Sequence, residues 1–344
     1  MHTLSRGNQS RRKLALWTTA ILLASIILIP LLPYTIAAVK EGISNPNPGA
    51  QFWRDVRQRD GEVVGSTQVQ GVDSGILISK EGEEWRQFRM QQFAPTSGIF
   101  YGVMLGLFAL YYLVRGKLRI EGGRSGELIE RSTKAERYVH WFTAVIFVLL
   151  TVTGLIILYG RFVLIPLLGS EGFSVTANLS KVVHNYLGPL FLVGVVLMFF
   201  AFVRDSWFDL KVDTQWVMTG GGYIGSGHPS AGKYNAGQKA WFWVAILGGL
   251  VLVGSGLVLD FANYGQGRTI MQDAHVIHSI SSVIVIGFFL VHLYTGTVGV
   301  EGSLDAMVSG NVDENFVKQH HDLWYEEIKN QSGKSCLLYT SDAA

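Results

Sequence analysis

The last long apolar run, Met271 to Val300, limits what this chain can fold into more than any other stretch. It sets His278 and His292 within a segment otherwise rich in Ile, Val, Leu and Phe. Those histidines are 14 residues apart, and that many helical steps of about 100° return to within about 40° of the start. Both imidazoles therefore share one helix face. At a rise of about 1.5 Å per residue they stand roughly 21 Å apart along the axis. That is most of the roughly 30 Å hydrocarbon thickness of a bilayer. One helix thus offers a nitrogen ligand near each membrane surface. His275 fits less well, since it falls about 100° off the face of His292.

Further apolar runs place the whole chain in the membrane. Of its 344 residues 49% are hydrophobic and 16% charged, against about 25% charged in soluble domains. The formal net charge of +2 is spread over loops, with no basic patch to suggest a nucleic-acid partner. The single cysteine, Cys336, excludes an internal disulfide, a Cys-ligated iron–sulfur cluster and a Cys-rich zinc site. Metal chemistry here must rest on the nine histidines.

In chain order, residues 1–39 are a short basic start and an apolar run from Leu14 to Val39. This pattern also suits a cleaved signal peptide, but the run is long for a signal core, so a retained helix is expected. Residues 40–97 are polar, with NPNPG and short alternating pieces, and are expected to form a small extracytoplasmic segment with a hairpin or two. A second span covers 98–114. The loop 115–137 then places seven Lys or Arg beside two membrane ends, the strongest topology signal in the chain, and puts that loop in the cytoplasm. Ser132 with Lys134–Glu136 reads as the start of the next helix. Four more spans follow, at about 138–158, 181–203, 240–259 and 273–300. Loop 160–180 is expected outside, 204–239 inside and 260–272 outside, with the C-terminal tail 301–334 inside. Trp141, Trp207, Trp241 and Trp243 sit at span ends, as interfacial aromatics do. The final stretch 335–344, SCLLYTSDAA, shares none of the character of the polar residues before it and reads as an appendage.

This topology sorts four histidines by depth. His140 opens the third span near the inner surface, and His184 opens the fourth near the outer one. His278 lies near the outer end of the last span and His292 near its inner end. Ionisable groups inside a membrane are costly and are usually functional. Two His–His pairs, His184 with His278 and His140 with His292, suit two haems with bis-imidazole ligation. Gly154, Gly188, Gly194, Gly248, Gly249, Gly254, Gly256 and Gly287 would leave room for flat macrocycles, although glycines in membrane helices commonly serve packing alone. Spacing by itself does not separate haem ligation from a proton relay. His275 reads as an interface group or a propionate neighbour, His228 lies in a Gly-rich loop, His320 and His321 read as solvated, and His2 is terminal.

The segment GKYNAGQKAWFW, 232–243, closes the second inner loop. Asn235, Gly237 and Gln238 offer amides and close backbone approach at the membrane surface. Read without a ligand, Asn235 is simply a helix N-cap and Lys239 reaches out to the interface. The GGG at 220–222 lacks a following Lys-Ser/Thr, so a phosphate-binding loop is not expected.

At this point the sequence resembles a family. ERYVHW (136–141), VVHNYLGP (182–189), GKYNAGQK (232–239), HSISSVIVIGFFLVH (278–292) and KQHHDLWYEEI (318–328) are similar to the gamma, or cytochrome b556, subunit of membrane-bound formate dehydrogenases. The likeness covers about residues 130–330, and the front extension looks like that of longer members. The resemblance implies an all-α integral membrane protein, with a four-helix di-haem cytochrome b bundle over 138–300 preceded by one or two extra helices. It implies two haem b groups. His184 and His278 would hold the outer iron, and His140 and His292 the inner one. Quinone would bind at Asn235, Gly237 and Gln238. The implied partners are an iron–sulfur beta subunit and a molybdenum- or tungsten-containing alpha subunit that oxidises formate. The implied location is the bacterial inner membrane, with lipid around the bundle. The same architecture would serve a nickel–iron hydrogenase or another donor. A haem-free proton-coupled transporter and a plain membrane anchor are readings from other classes.

Overall fold

The computed structural model describes residues 80–223, 227–262 and 264–341. The first apolar run and the polar segment as far as residue 79 lie outside the described residues. The described chain opens with helix α1, Lys80–Gln87, which continues through a π-helical turn, Phe88–Phe93, into α2, Ala94–Arg115. The helix therefore begins well before position 98, where the sequence suggested a span would start. Within GEEWRQFR the residues Glu83, Glu84, Arg86, Gln87 and Arg89 are good helix formers, and Arg86 pairs with Glu83 one turn back at 2.8 Å. Phe88, Phe93, Phe100 and Met104 are buried with Val283 of the last long helix, so this extension is held by packing as well as propensity.

Helix α3, Lys134–Phe202, is 69 residues long. Unbroken, it would reach about 100 Å, three times the hydrocarbon thickness. It is broken at Gly169, whose φ of 71° and ψ of 175° are open to a residue without a Cβ. The expected outer loop at 160–180 is thus nearly all helical, because RFVLIPLLG holds no other residue suited to reversing the chain. Two contacts show how the limbs fold back. Thr143 meets Gly194, and Thr153 meets His184. Both pairs are centred between positions 168 and 169, as an antiparallel hairpin turning at Gly169 requires. The first limb starts at a capping box. Thr133 Oγ1 accepts from the Glu136 amide at 3.2 Å, and Glu136 Oε2 accepts from the Thr133 amide at 2.7 Å. The cap is one residue later than Ser132.

After the short helix α4, Leu210–Met218, come α5, Ala236–Asp260, and α6, Arg268–Tyr294. These form a second antiparallel hairpin. A Cβ on Gly248 would meet Val285 at 2.5 Å, and Ser255 reaches His278, both pairs centred between 266 and 267. The two hairpins pack into a four-helix bundle around Ile146, Phe147, Phe191, Val195, Phe242, Ile246, Val253, Val285 and Ile286, with α2 laid against α6. Among the described residues four helical runs are long and apolar enough to cross a bilayer, and α3, folded at Gly169, is long enough for two spans. In lipid the helices gain little from the hydrophobic effect and must fit closely. Gly160, Gly194, Gly248 and Gly249 allow that fit, since a Cβ on any of them would come within 3.0 Å of a facing side chain.

The chain after α6 closes one end of the bundle. Helix α7, Asp305–Val308, leads to strand β2, Asn311–Asp313, which pairs antiparallel with β1, Leu128–Glu130. Helices α8, Glu314–His320, and α9, Asp322–Ser341, follow. The backbone of α9 runs on through 335–341, so the helix does not stop where the polar tail was expected to end. Ile120, Val300, Val312, Phe316, Val317 and Trp324 form a separate small core beneath the membrane helices. His321 is therefore not solvated. It is 1% exposed, and its Nδ1 meets the Gly232 carbonyl at 2.8 Å. His320 packs on Phe316 and His228, and His228 in turn pairs with Glu121 at 3.0 Å. The sequence showed polar residues after a last span; it did not show that the basic loop 115–131 would fold back over them.

Burial, with Arg131 nearby, holds the His321 imidazole well below the usual histidine value of 6.5. The docked ring stays neutral, whereas the same ring in an undocked tail takes up a proton as pH falls through 6.5. Docking should therefore weaken below that pH by up to about 1.4 kcal/mol per pH unit. Hydrogen exchange of residues 314–325, corrected for its intrinsic pH dependence, should speed up between pH 7 and 5. The slope should shrink in His321→Asn.

Candidate functional site

Four histidines on three helical limbs, two of α3 and one of α6, form two pairs inside the bundle. His184 of the second α3 limb faces His278 of α6 with ring centroids 6.1 Å apart and planes at 71°. His140 of the first limb faces His292 of α6 at 6.3 Å and 61°. The two pairs sit at opposite ends of α6, as its spacing predicted. No hydrogen bond joins the rings within either pair. A metal ion held by ring nitrogens at about 2.0 Å places two imidazole centroids roughly 6 Å apart, since each nitrogen lies only about 1 Å from its ring centre. Among the described residues no cluster of three or more His, Cys, Asp or Glu side chains is placed to hold a metal. Two imidazoles alone suit a metal that brings its own in-plane donors.

The two pairs have different surroundings. His184 Nδ1 is 2.9 Å from Thr153 Oγ1, and His278 Nδ1 is 3.0 Å from Ser255 Oγ. His140 Nδ1 is buried without a partner, and His292 lies stacked on Trp241 at 5.2 Å and 17°.

A model of the prokaryotic cytochrome b561 family matches residues 131–310, the span that holds both pairs. The chain belongs to this family. It is 30% identical to the cytochrome b556(fdo) subunit of formate dehydrogenase from Escherichia coli K12, over 60% of this chain and 97% of that protein. The nitrate-inducible cytochrome b556(Fdn) subunit from the same strain is 28% identical over 60% of this chain and 95% of its own length. The Haemophilus influenzae formate dehydrogenase cytochrome b556 subunit is 29% identical over 63% and 94%. The matched length leaves the N-terminal portion as an extension. As a cytochrome b561 family member the chain is a multi-pass membrane cytochrome b of electron transfer, and membership implies haem b.

The residues present fit that group. Gly154 and Gly256 lie against the His184 and His278 rings, where a Cβ would stand 3.3 Å from His184 Cε1 and 3.4 Å from His278 Cε1. A Cβ on Gly188, one turn beyond His184, or on Gly254 would meet nothing within 4 Å. Gly194, Gly248 and Gly249 instead face Thr143, Val285 and Val195, so their smallness serves helix contact. His275 stands apart from both pairs, 5.1 Å from the Trp85 ring of α1.

Asn235, Gly237 and Gln238 lie at the start of α5, at the His140 end of this cytochrome b561 bundle. Asn235 is the N-cap. Its Oδ1 accepts from the Gln238 amide at 3.0 Å, while Gln238 Oε1 accepts from the Asn235 amide at 3.1 Å. The carboxamide oxygens are thus committed to the cap. Gly237 is small because Trp216 of α4 would meet a Cβ at 3.2 Å. Lys239 does not reach out to the interface as an unpaired α5 start would suggest. It is 7% exposed, and its Nζ donates to Asp213 of α4 at 2.8 Å. Trp241 is similarly drawn inward from the interface by its stacking on His292.

Arg131 is not distinguished from its basic neighbours by sequence alone. This guanidinium is 5% exposed and lies over the rings of Tyr234 and Phe316. It donates to the Lys233 carbonyl at 2.6 Å and to Gln238 Oε1 at 3.3 Å, while its Nε is buried without a partner. Burial lowers its proton affinity to about 10, so it remains charged at neutral pH. The hydroxyl of Tyr234 is likewise buried and unpartnered. A signal for Thr153 and Ser255 did exist, in the matching Thr-Gly-Leu at 153–155 and Ser-Gly-Leu at 255–257.

Gly154→Val should push His184 off its position and cut the haem bound per chain, read by pyridine haemochrome. Gly106→Ala on α2, where a Cβ meets nothing within 4 Å, should leave haem content unchanged. Asp213→Ala strands the Lys239 ammonium and should destabilise the protein by roughly 3–5 kcal/mol in thermal unfolding.

Proposed function

We propose that this chain is the membrane cytochrome b subunit of a formate dehydrogenase complex, carrying electrons from an iron–sulfur subunit on the outer side to quinone near the cytoplasmic face. The reading rests on the relatives' names, the basic loop 115–137 and, above all, two histidine pairs set near opposite ends of one helix. Haem, when bound, would supply a one-electron carrier at each pair. His184 and His278 would hold the outer iron and His140 and His292 the inner one, each contributing one ring nitrogen. The bundle core between them, from Ile146 to Ile286, would keep water from the path.

The quinone would bind at the start of α5, among Asn235, Gly237 and Gln238. The oxygens of Asn235 and Gln238 hold the cap, which leaves their amide N–H groups as donors for quinone oxygens. The buried Arg131 charge, fixed against Gln238, would stabilise negative charge developing on the quinone. The Trp241 ring connects this corner to His292. The C-terminal tail, β2 through α9, would be cytoplasmic and would close the site from below. Charge moved across the membrane by this route would be worth about 2.3 kcal/mol per charge per 100 mV.

The purified protein should yield two b haems per chain by pyridine haemochrome, and His292→Ala should yield one. In that variant quinone reduction by the assembled complex should stop while artificial acceptors still take electrons from the soluble subunits. Retained quinone reduction would refute the assignment. Asn235→Ser keeps a capping oxygen and removes only the amide donor. It should raise the KM for quinone with both haems retained, and loss of a haem would mean that the residue serves the fold alone.

A further inference from the structure

The two histidine pairs differ at Nδ1. At the His184/His278 pair each ring meets a hydroxyl from a facing helix, and each hydroxyl has already spent its proton. Thr153 Oγ1 donates to the Leu149 carbonyl at 2.8 Å, and Ser255 Oγ donates to the Val251 carbonyl at 2.7 Å. With the hydroxyl proton on that carbonyl, the oxygen that faces each imidazole is an acceptor, and the arrangement favours the tautomer with the proton on Nδ1. That tautomer leaves Nε2 with its lone pair free for a metal. The glycine after each hydroxyl completes the clamp, Gly154 against His184 Cε1 and Gly256 against His278 Cε1. One edge of each ring is bonded, and the glycine beside it leaves room for the ring that a Cβ would crowd, so the hydroxyl sets the rotation of both rings before a cofactor arrives. The same Thr/Ser-Gly-Leu device comes once from the first α3 limb and once from α5.

At the His140/His292 pair this device is missing. His140 Nδ1 is buried with no partner, and His292 carries the Trp241 ring stacked on its face, with no hydroxyl bonded to its ring.

We infer that Thr153 and Ser255 are positioning residues that set the redox order of the two iron sites. A hydroxyl accepting from Nδ1–H makes Nε2 a stronger electron donor, and a stronger donor favours Fe(III) over Fe(II). The His184/His278 site accordingly has the lower potential and the His140/His292 site the higher. With haem bound, transfer of one electron from the His184/His278 site to the His140/His292 site would oxidise the first by one electron, reduce the second by one, and run downhill toward α5's N-terminus. This rests on the di-haem reading above and adds to it a direction built into the protein.

The test is a redox titration of the full-length protein followed at the haem α-band. The parent should titrate as two one-electron components. In the double variant Thr153→Val, Ser255→Ala the lower component should move up toward the higher, which stays in place. The exchange Thr153→Ser, Ser255→Thr keeps both hydroxyls and should restore the parent separation. Loss of one haem in the Val/Ala variant but not in the exchange would support the positioning on which the order rests. If the lower component does not move, if the higher one moves instead, or if the exchange shifts the lower one as far as the Val/Ala variant does, the inference fails while the di-haem reading stands. A parent with fewer than two haems would overturn the di-haem reading and this inference with it.

Discussion

Everything in this bundle answers to the cost of placing an imidazole in lipid. A polar ring with no partner in hydrocarbon is destabilising by several kcal/mol, so it must be paired or it must serve a purpose. Here four rings are brought together two by two, at a spacing too wide for a direct hydrogen bond and right for a shared ion. The helices that carry them touch through glycine, where backbones can approach. Close contact is the attraction available to them, because lipid tails are as apolar as leucine. Ligand spacing and helix spacing are thus one problem with one solution.

The membrane spans were legible because their signals are local. Apolar length, basic flanks and the 14-residue interval on α6 all sit within single stretches, and they placed the histidines in their pairs. The turn at Gly169 is less legible: residues 160–180 read as an outer loop by alternation of the spans, whereas one positive-φ residue suffices to fold a nearly continuous helix. The helix before position 98 is not legible locally, because its anchors, Phe88 and Phe93, share a core with Val283, nearly two hundred residues away.

What stayed illegible depends on partners remote in the chain. Lys239 reads as a surface lysine until Asp213 is folded beneath it, and His321 as solvated until β2 joins β1. Arg131 lies at the edge of a basic loop like its neighbours, yet it alone is drawn between Tyr234 and Phe316. Asn235 and Gln238 were readable both as a capping box and as ligand residues. The structure shows the cap in full, and only their unspent amide groups keep the second reading open.

The folding of α3 about Gly169 has a consequence for how this protein can change. Thr153 and His184 are held opposite each other only because equal lengths of helix separate them from the reversal. Deleting a single residue between them on one side would turn that limb by about 100° and swing the hydroxyl away from the ring. The stretch from 155 to 183 thus behaves as a ruler. Its side chains are free to vary where they face lipid, while its length is as constrained as the contact it aligns.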